Sequence, residues 1–125
     1  MNKTIITGYL GNGPVQRTMT NGSKVTSFSV AVNRGQGNKP IWYSVSAYGK
    51  LGDECAKHLA TGARVMVEGR LEAGADGYPR VWKRRDETMT ASFELAASQV
   101  EFLSKREESV SAETLVEVPV DEYPF

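Results

Sequence analysis

The spacing of apolar residues changes period once and then changes back. "IWYSVSAYG" alternates, "KLGDECAKHLATG" carries Leu51, Cys55 and Leu59 at spacings of four, and "ARVMVEGRLEA" alternates again. A period of two marks a strand with one buried face, and a stripe at spacings of four marks one face of a helix. The middle of the chain therefore reads strand, short helix, strand. Gly52 weakens the first turn of that helix, and Gly62 stands where a C-terminal cap is wanted.

Strands also precede and follow this unit. "KTIITGYLG" puts Thr4, Ile6, Gly8 and Leu10 on one face and Ile5, Thr7 and Tyr9 on the other, until Gly11, Gly13 and Pro14 break it. "VQRTMT" continues as a short extended segment. Asn21-Gly22 predicts a hairpin of type I′, whose two central residues both need positive φ. In "KVTSFSVAVNR", Phe28, Val30 and Val32 share a face and Val25 is out of phase, which predicts a bulge or twist near Ser27. "GQGNKP" is a loop, and Pro40 opens the third strand. "GADGYPRVWKRRDETMT" is long, basic and turn-rich, and "SFELAASQVEFL" is the last strand. The order predicts an all-β fold: a five-stranded antiparallel OB-fold barrel with one short helix between strands 3 and 4. Strand spacing alone would also allow a small sandwich.

Composition narrows the classes of function. Hydrophobic content of 40% and charged content of 24% are those of a globular chain. No apolar run approaches the roughly 20 residues that span a bilayer, and "MNKTIITGYLG" lacks a basic-then-apolar signal layout. A cytoplasmic location and no membrane partner are the expectations. Cys55 is the only cysteine and His58 the only histidine, so there is no internal disulfide, metal cage or Ser-His-Asp set to assemble. Cys55 lies on the apolar stripe and reads as buried and inert. Asp53 and Glu54 near the helix start suit its dipole, and Asp86 and Glu87 read as partners of neighbouring cations. No catalytic residues, metal site or cofactor are expected. The zero net charge conceals a division: residues 1–103 carry +4 and residues 104–125 carry −4. That asymmetry suits a body that meets an anion and an acidic tail that meets something else.

Two stretches could hold the anion. On the third strand Ile41, Tyr43, Val45 and Ala47 face one way, and Trp42, Ser44, Ser46 and Tyr48 face the other. The second set makes a poor core and a good stacking platform, unless another subunit or a loop covers its rings. "YPRVWKRR" interleaves Tyr78 and Trp82 with Arg80, Lys83, Arg84 and Arg85. Phosphates take charge and bases take ring faces, so this spacing suits a nucleic-acid strand; the alternative is a solvated basic loop with Trp82 packed on the barrel. Arg34 and Lys39 flank the loop before Trp42, and Lys50 follows Tyr48.

These residues carry a family resemblance. "MNKTIITGYLGNGPVQRTMTNG", "WYSVSAYGKLGDECAKHLATGARVMVEGRL" and "FELAASQVEFL" are similar, in order and spacing, to the bacterial-type single-stranded DNA-binding proteins over about residues 1–104. The resemblance implies an OB-fold, usually a homotetramer, that wraps single-stranded DNA without sequence preference and coats it during replication, recombination and repair, with a nucleoid association. It implies stacking by Trp42 and Tyr48 and by one of Tyr78 and Trp82, and a basic contact at Lys50. Phosphate contacts from Arg34, Lys39, Arg80, Lys83, Arg84 and Arg85 are expected from their charge beside these rings, with an ordinary surface charge the alternative for Arg34 and Lys39. An aromatic often found before Trp42 is absent. Thr61 stands where a lysine is frequent, and Glu72 and Ala73 replace a more basic patch.

Residues 105–125 read as a short flexible acidic tail. The family usually has a long Gly/Gln/Pro-rich linker before its acidic tip; here about 15 residues intervene before "VDEYPF". A flexible segment spans about 5–6 Å × √n, so this tip stays near its own body. The resemblance assigns Asp121, Glu122, Tyr123, Pro124 and Phe125 to capture of replication and repair proteins: the acids steer, and the Phe125 ring enters a partner's apolar pocket. Two other classes fit an OB-fold: a replisome or primosome adaptor, which would not need the aromatic platform, and a single-stranded RNA binder, which sequence physics leaves open.

Overall fold

The computed structural model describes residues 1–103. Its elements run β1 (Thr4–Leu10), β2 (Val15–Thr18), β3 (Lys24–Val32), β4 (Ile41–Tyr48), α1 (Gly49–His58), β5 (Arg64–Leu71), β6 (Val81–Lys83), β7 (Met89–Ala91) and β8 (Phe93–Phe102). β1 bonds to β5, β5 to β8, β8 to β4 and β4 to β3, and β3 returns to β1 at Tyr9↔Ala31 and Leu10↔Val30. The ring is a closed five-stranded OB barrel with α1 between its third and fourth strands. β2 lies on the outer edge of β3, and β6 with β7 forms a separate hairpin. The ring pairings are antiparallel except β4–β8, which is parallel. Closure removes most exposed backbone edges. The edge of β1 opposite β5 meets β3 only at Tyr9 and Leu10, so Thr4–Thr7 have no second strand partner among the described residues.

Alternation fills the barrel. Ile6, Leu10, Phe28, Val30, Val45, Ala47, Val65, Val67 and Leu95 point inward and form one cluster with Cys55 and Leu59 from the helical segment. Burial of these side chains supplies roughly 25 cal/mol per Å² of apolar surface. Gly52 explains how α1 gets so close. A Cβ there would lie 2.4 Å from the Ala47 carbonyl oxygen and 3.0 Å from Thr26 Oγ1. The residue that weakens the helix by propensity lets the helix seat on β3 and β4.

Several local expectations are corrected. β3 pairs in unbroken register from Val25↔Tyr48 to Val32↔Ile41, with no bulge at Ser27. Thr26, fully buried, keeps phase with Phe28 and Val30, and its hydroxyl accepts from Gln16 Nε2 at 3.1 Å, so Val25 stays on the outer face. The register shift falls instead at Glu68/Gly69, where β5 meets β8. The Asn21-Gly22 hairpin is not type I′. Gly22 N donates to Met19 O and Met19 N to Ser23 O, and only Gly22 has positive φ (91°). This is a type I turn followed by a left-handed residue, the usual three-residue hairpin loop. α1 ends at His58 with Leu59 as its cap, and Gly62 serves the following turn, donating to Leu10 O. Asp53 and Glu54 lie beyond the first turn, and Asp53 accepts from Gln16 Nε2 at 2.8 Å. No helix among the described residues is long and apolar enough to cross a membrane. The acidic tail lies outside the described residues.

Candidate nucleic-acid interface

β4 builds the first half of the site. Val45 and Ala47 are buried, while Trp42 and Tyr48 are 49% and 50% exposed on the opposite face. Six residues at about 3.3 Å each separate the rings by about 20 Å along the strand, too far to clasp one base between them. Each ring is a separate seat. Between them the register aligns Ser29 with Ser44 and Ser27 with Ser46, with Ala31 beside Trp42 and Val25 beside Tyr48. The surface between the rings is therefore low, small and hydroxyl-bearing. The serines of β3 were legible in the alternation of "KVTSFSVAV" but gain meaning only when β3 lies beside β4.

Trp42 is held in place by a residue that the sequence marked only as a strand breaker. A Cβ on Gly11 would fall 2.3 Å and 2.5 Å from two ring carbons of Trp42. The indole thus lies against the Gly11 backbone, which is itself fixed by Gly11 N donating to Ser29 O at 2.9 Å. The resulting open groove, about 530 Å³, is lined by Gly11, Asn12, Ser29, Trp42, Tyr43, Ser44 and Ser92. Phe93, 57% exposed, packs on Tyr43 with ring centroids 5.7 Å apart. Its phase with Leu95 suggests core, but it begins β8 at the rim of the barrel.

The β6–β7 hairpin supplies the second half. Val81↔Ala91, Trp82↔Thr90 and Lys83↔Met89 set its register, and period two then puts Arg80, Trp82 and Arg84 on one face. Arg84 donates to Thr90 Oγ1 at 3.0 Å, and the Arg80 guanidinium carbon stands 5.9 Å from the Trp82 ring centroid. Trp82 is 43% exposed and Tyr78, which closes the turn that starts at Gly74, 70%. Glu87 (φ 76°) occupies the left-handed place of a turn built like that at Gly22, with Glu87 N donating to Arg84 O. Asp86 takes both the N–H and the hydroxyl of Thr88, which hold its carboxyl below the usual range. Thr88, not a cation, is thus its hydrogen-bonding partner, whereas Glu87 does pair with Lys83 at 3.6 Å.

The cations differ in how committed they are. Arg34 donates through Nε to Lys39 O at 2.8 Å, which leaves its outer nitrogens available. Arg80 is paired with Glu94. Lys39, Lys50 and Arg85 are exposed. Lys50 lies in the first turn of α1, two residues after Tyr48. Cys55 is fully buried, and burial, aided by the Glu54 charge, pushes its thiol up to about 11. His58 Nε2 sits 3.3 Å from Glu54 Oε1, and its ring lies against Phe102 with centroids 5.8 Å apart. No group of three or more His, Cys, Asp or Glu that could hold a metal occurs among the described residues.

A closed OB barrel with exposed rings on β4, a ringed basic hairpin and a serine strip defines an OB-fold domain with an aromatic and cationic face. The model of the single-strand binding protein family matches residues 1–103, and the chain belongs to that family. It is 37% identical over 79 residues to single-stranded DNA-binding protein 1 of Chlorobaculum tepidum, covering 58% of this chain and 49% of that protein. It is 28% identical over 116 residues to the single-stranded DNA-binding protein of Neisseria meningitidis serogroup B, covering 87% of this chain and 63% of the relative. The chain thus spans between about half and under two thirds of the length of these curated relatives. The crystal structure of the small single-stranded DNA-binding protein from Streptomyces coelicolor superposes with a TM-score of 0.67 at 22% identity, over 80% of this chain and 92% of that one. That likeness bears on the fold.

Proposed function

We propose that this protein binds single-stranded DNA without sequence preference and without catalysing a reaction, coating and protecting exposed strands during replication, recombination and repair. The observation that carries the reading is the β4 face, where Trp42 and Tyr48 stand half-exposed at the two ends of a serine strip. Bases stack on such rings for roughly 1–3 kcal/mol each, and stacking is indifferent to sequence. Tyr78 and Trp82 extend the stacking surface. Lys39, Lys50 and Arg85 receive phosphates, joined by the uncommitted nitrogens of Arg34, by Lys83, which must share with Glu87, and by Arg84; Arg80 can contribute only alongside Glu94. Self-association into a homotetramer is supported by the edge of β1 at Thr4–Thr7, which has no second strand partner among the described residues, with Ile5 exposed beside it. The tip Asp121, Glu122, Tyr123, Pro124 and Phe125 recruits replication and repair proteins, and the protein works at the nucleoid.

The test is a fluorescence titration with oligo(dT), a matched duplex and oligo(U) at two salt concentrations. Single strands are expected to quench tryptophan emission and to bind more weakly as salt rises. Absence of quenching at low salt, or tighter binding to duplex, would sink the reading. Tighter binding to oligo(U) would move it to RNA.

A further inference from the structure

An acid stands inside the proposed binding face. β8 runs parallel to β4, and their register places Glu94 beside Ser44. Ser44 shares the outward side of β4 with Trp42 and Tyr48, so Glu94 shares it too. Its side chain is only 14% exposed, and it is bonded to Arg80 on the hairpin side. Arg80 also feels the charge of Glu72, whose N–H donates to Glu94 O at 2.9 Å. The Arg80 guanidinium lies toward Trp82. The pair is therefore an oriented dipole across the face: its negative end is at the serine strip and its positive end at the hairpin ring.

We propose that Glu94 is a positioning residue for the strand, keeping backbone phosphates off the strip between Trp42 and Tyr48 so that bases meet the rings, while Arg80 balances Glu94 and draws phosphates toward the hairpin. The inference rests on the single-strand reading of this face. A carboxylate repels phosphate wherever it stands and accepts from base N–H groups, so it turns a strand that could lie either way. Arg80 accordingly adds less to the phosphate count than a free arginine would.

The test uses the full chain, oligo(dT) and the variants Glu94→Gln, Arg80→Gln and the double variant, each titrated across a salt series. Glutamine preserves the shape of Glu94 and can still accept from Arg80. Glu94→Gln is expected to tighten binding at low salt and to steepen the log–log salt slope by about 0.7, the increment of one freed cation on a single strand. Tryptophan quenching per bound strand should fall as bases lose their orientation. Arg80→Gln should weaken binding, and the double variant should recover much of that loss. With oligo(dT) bearing neutral methylphosphonate linkages, the gain from Glu94→Gln should vanish. Glu94→Gln binding no tighter than the parent, a gain that persists on the neutral backbone, or a double variant no better than Arg80→Gln alone would overturn the proposal. If the parent protein binds no oligo(dT), the single-strand reading itself falls, and the inference with it.

Discussion

A methyl group at Gly11 would sit 2.3 Å from the Trp42 indole, so Gly11 bears on binding through the ring it supports. Gly11→Ala should tilt the ring out of its seat and weaken oligo(dT) binding by about tenfold, the lower part of a 1–3 kcal/mol stack. Titration beside Trp42→Ala checks this: the two losses should not add, because both remove one seat. Glu87→Gly should firm the hairpin turn, since a left-handed backbone costs a residue with a Cβ about 1–2 kcal/mol. Slower hydrogen exchange at the Arg84 and Glu87 amides would show it. Cys55 gives a pH prediction. Its folded thiol holds the proton more tightly than the ordinary value of 9.0, up to about 11, so its contribution to stability is intact below pH 9 and fades as pH rises through 11. A thiol reagent at pH 8 should therefore modify the protein only as fast as it unfolds. The inertness of Cys55 was legible in its place on the apolar stripe. The role of Gly11 was not, because a glycine's function as a ledge depends on a ring that arrives 31 residues later in the chain.

At the level of elements, the strands that line the barrel were readable because one face of each must be dry. A slip of one residue would turn that whole set into water. The same rule decided β3 against the more apolar choice. Thr26 went inward and Val25 outward because phase with Phe28 and Val30 outweighs the cost of burying a hydroxyl that Gln16 satisfies. The strand limits and register of β6–β7 were not legible, since both faces of a protruding hairpin are solvated and no period is imposed on its residues. Its Trp82 and the barrel's Trp42 should nevertheless act separately. Trp42→Ala and Trp82→Ala are each expected to lose part of the quenching and about 1–3 kcal/mol of binding, with near-additive effects if the two rings take different bases.

At the scale of the whole molecule, charge is divided +4/−4 along the chain, and the Thr4–Thr7 edge of β1 has no second strand partner among the described residues. Light scattering should give a mass about four times 13.7 kDa, and Ile5→Lys should lower it by placing a charge beside the open edge. Deleting residues 119–125 should tighten oligo(dT) binding at low salt, where the acidic tip competes for the basic body, and should abolish partner capture. Unchanged affinity in a salt series, with partner binding intact, would remove the tip from the account. The sequence by itself determined the strand and helix order, the inward residues, the outward pair Trp42 and Tyr48 and the +4/−4 division, because periodicity, composition and charge are local or additive properties. Only the tertiary structure decided that β8 runs parallel beside β4, that Glu94 and the β3 serines share the aromatic face, and that Arg80 answers Glu94 from across the hairpin. Barrel closure brings β8 beside β4, and the β6–β7 hairpin turns the chain back so that Arg80 reaches Glu94; no local pattern in the sequence shows either contact.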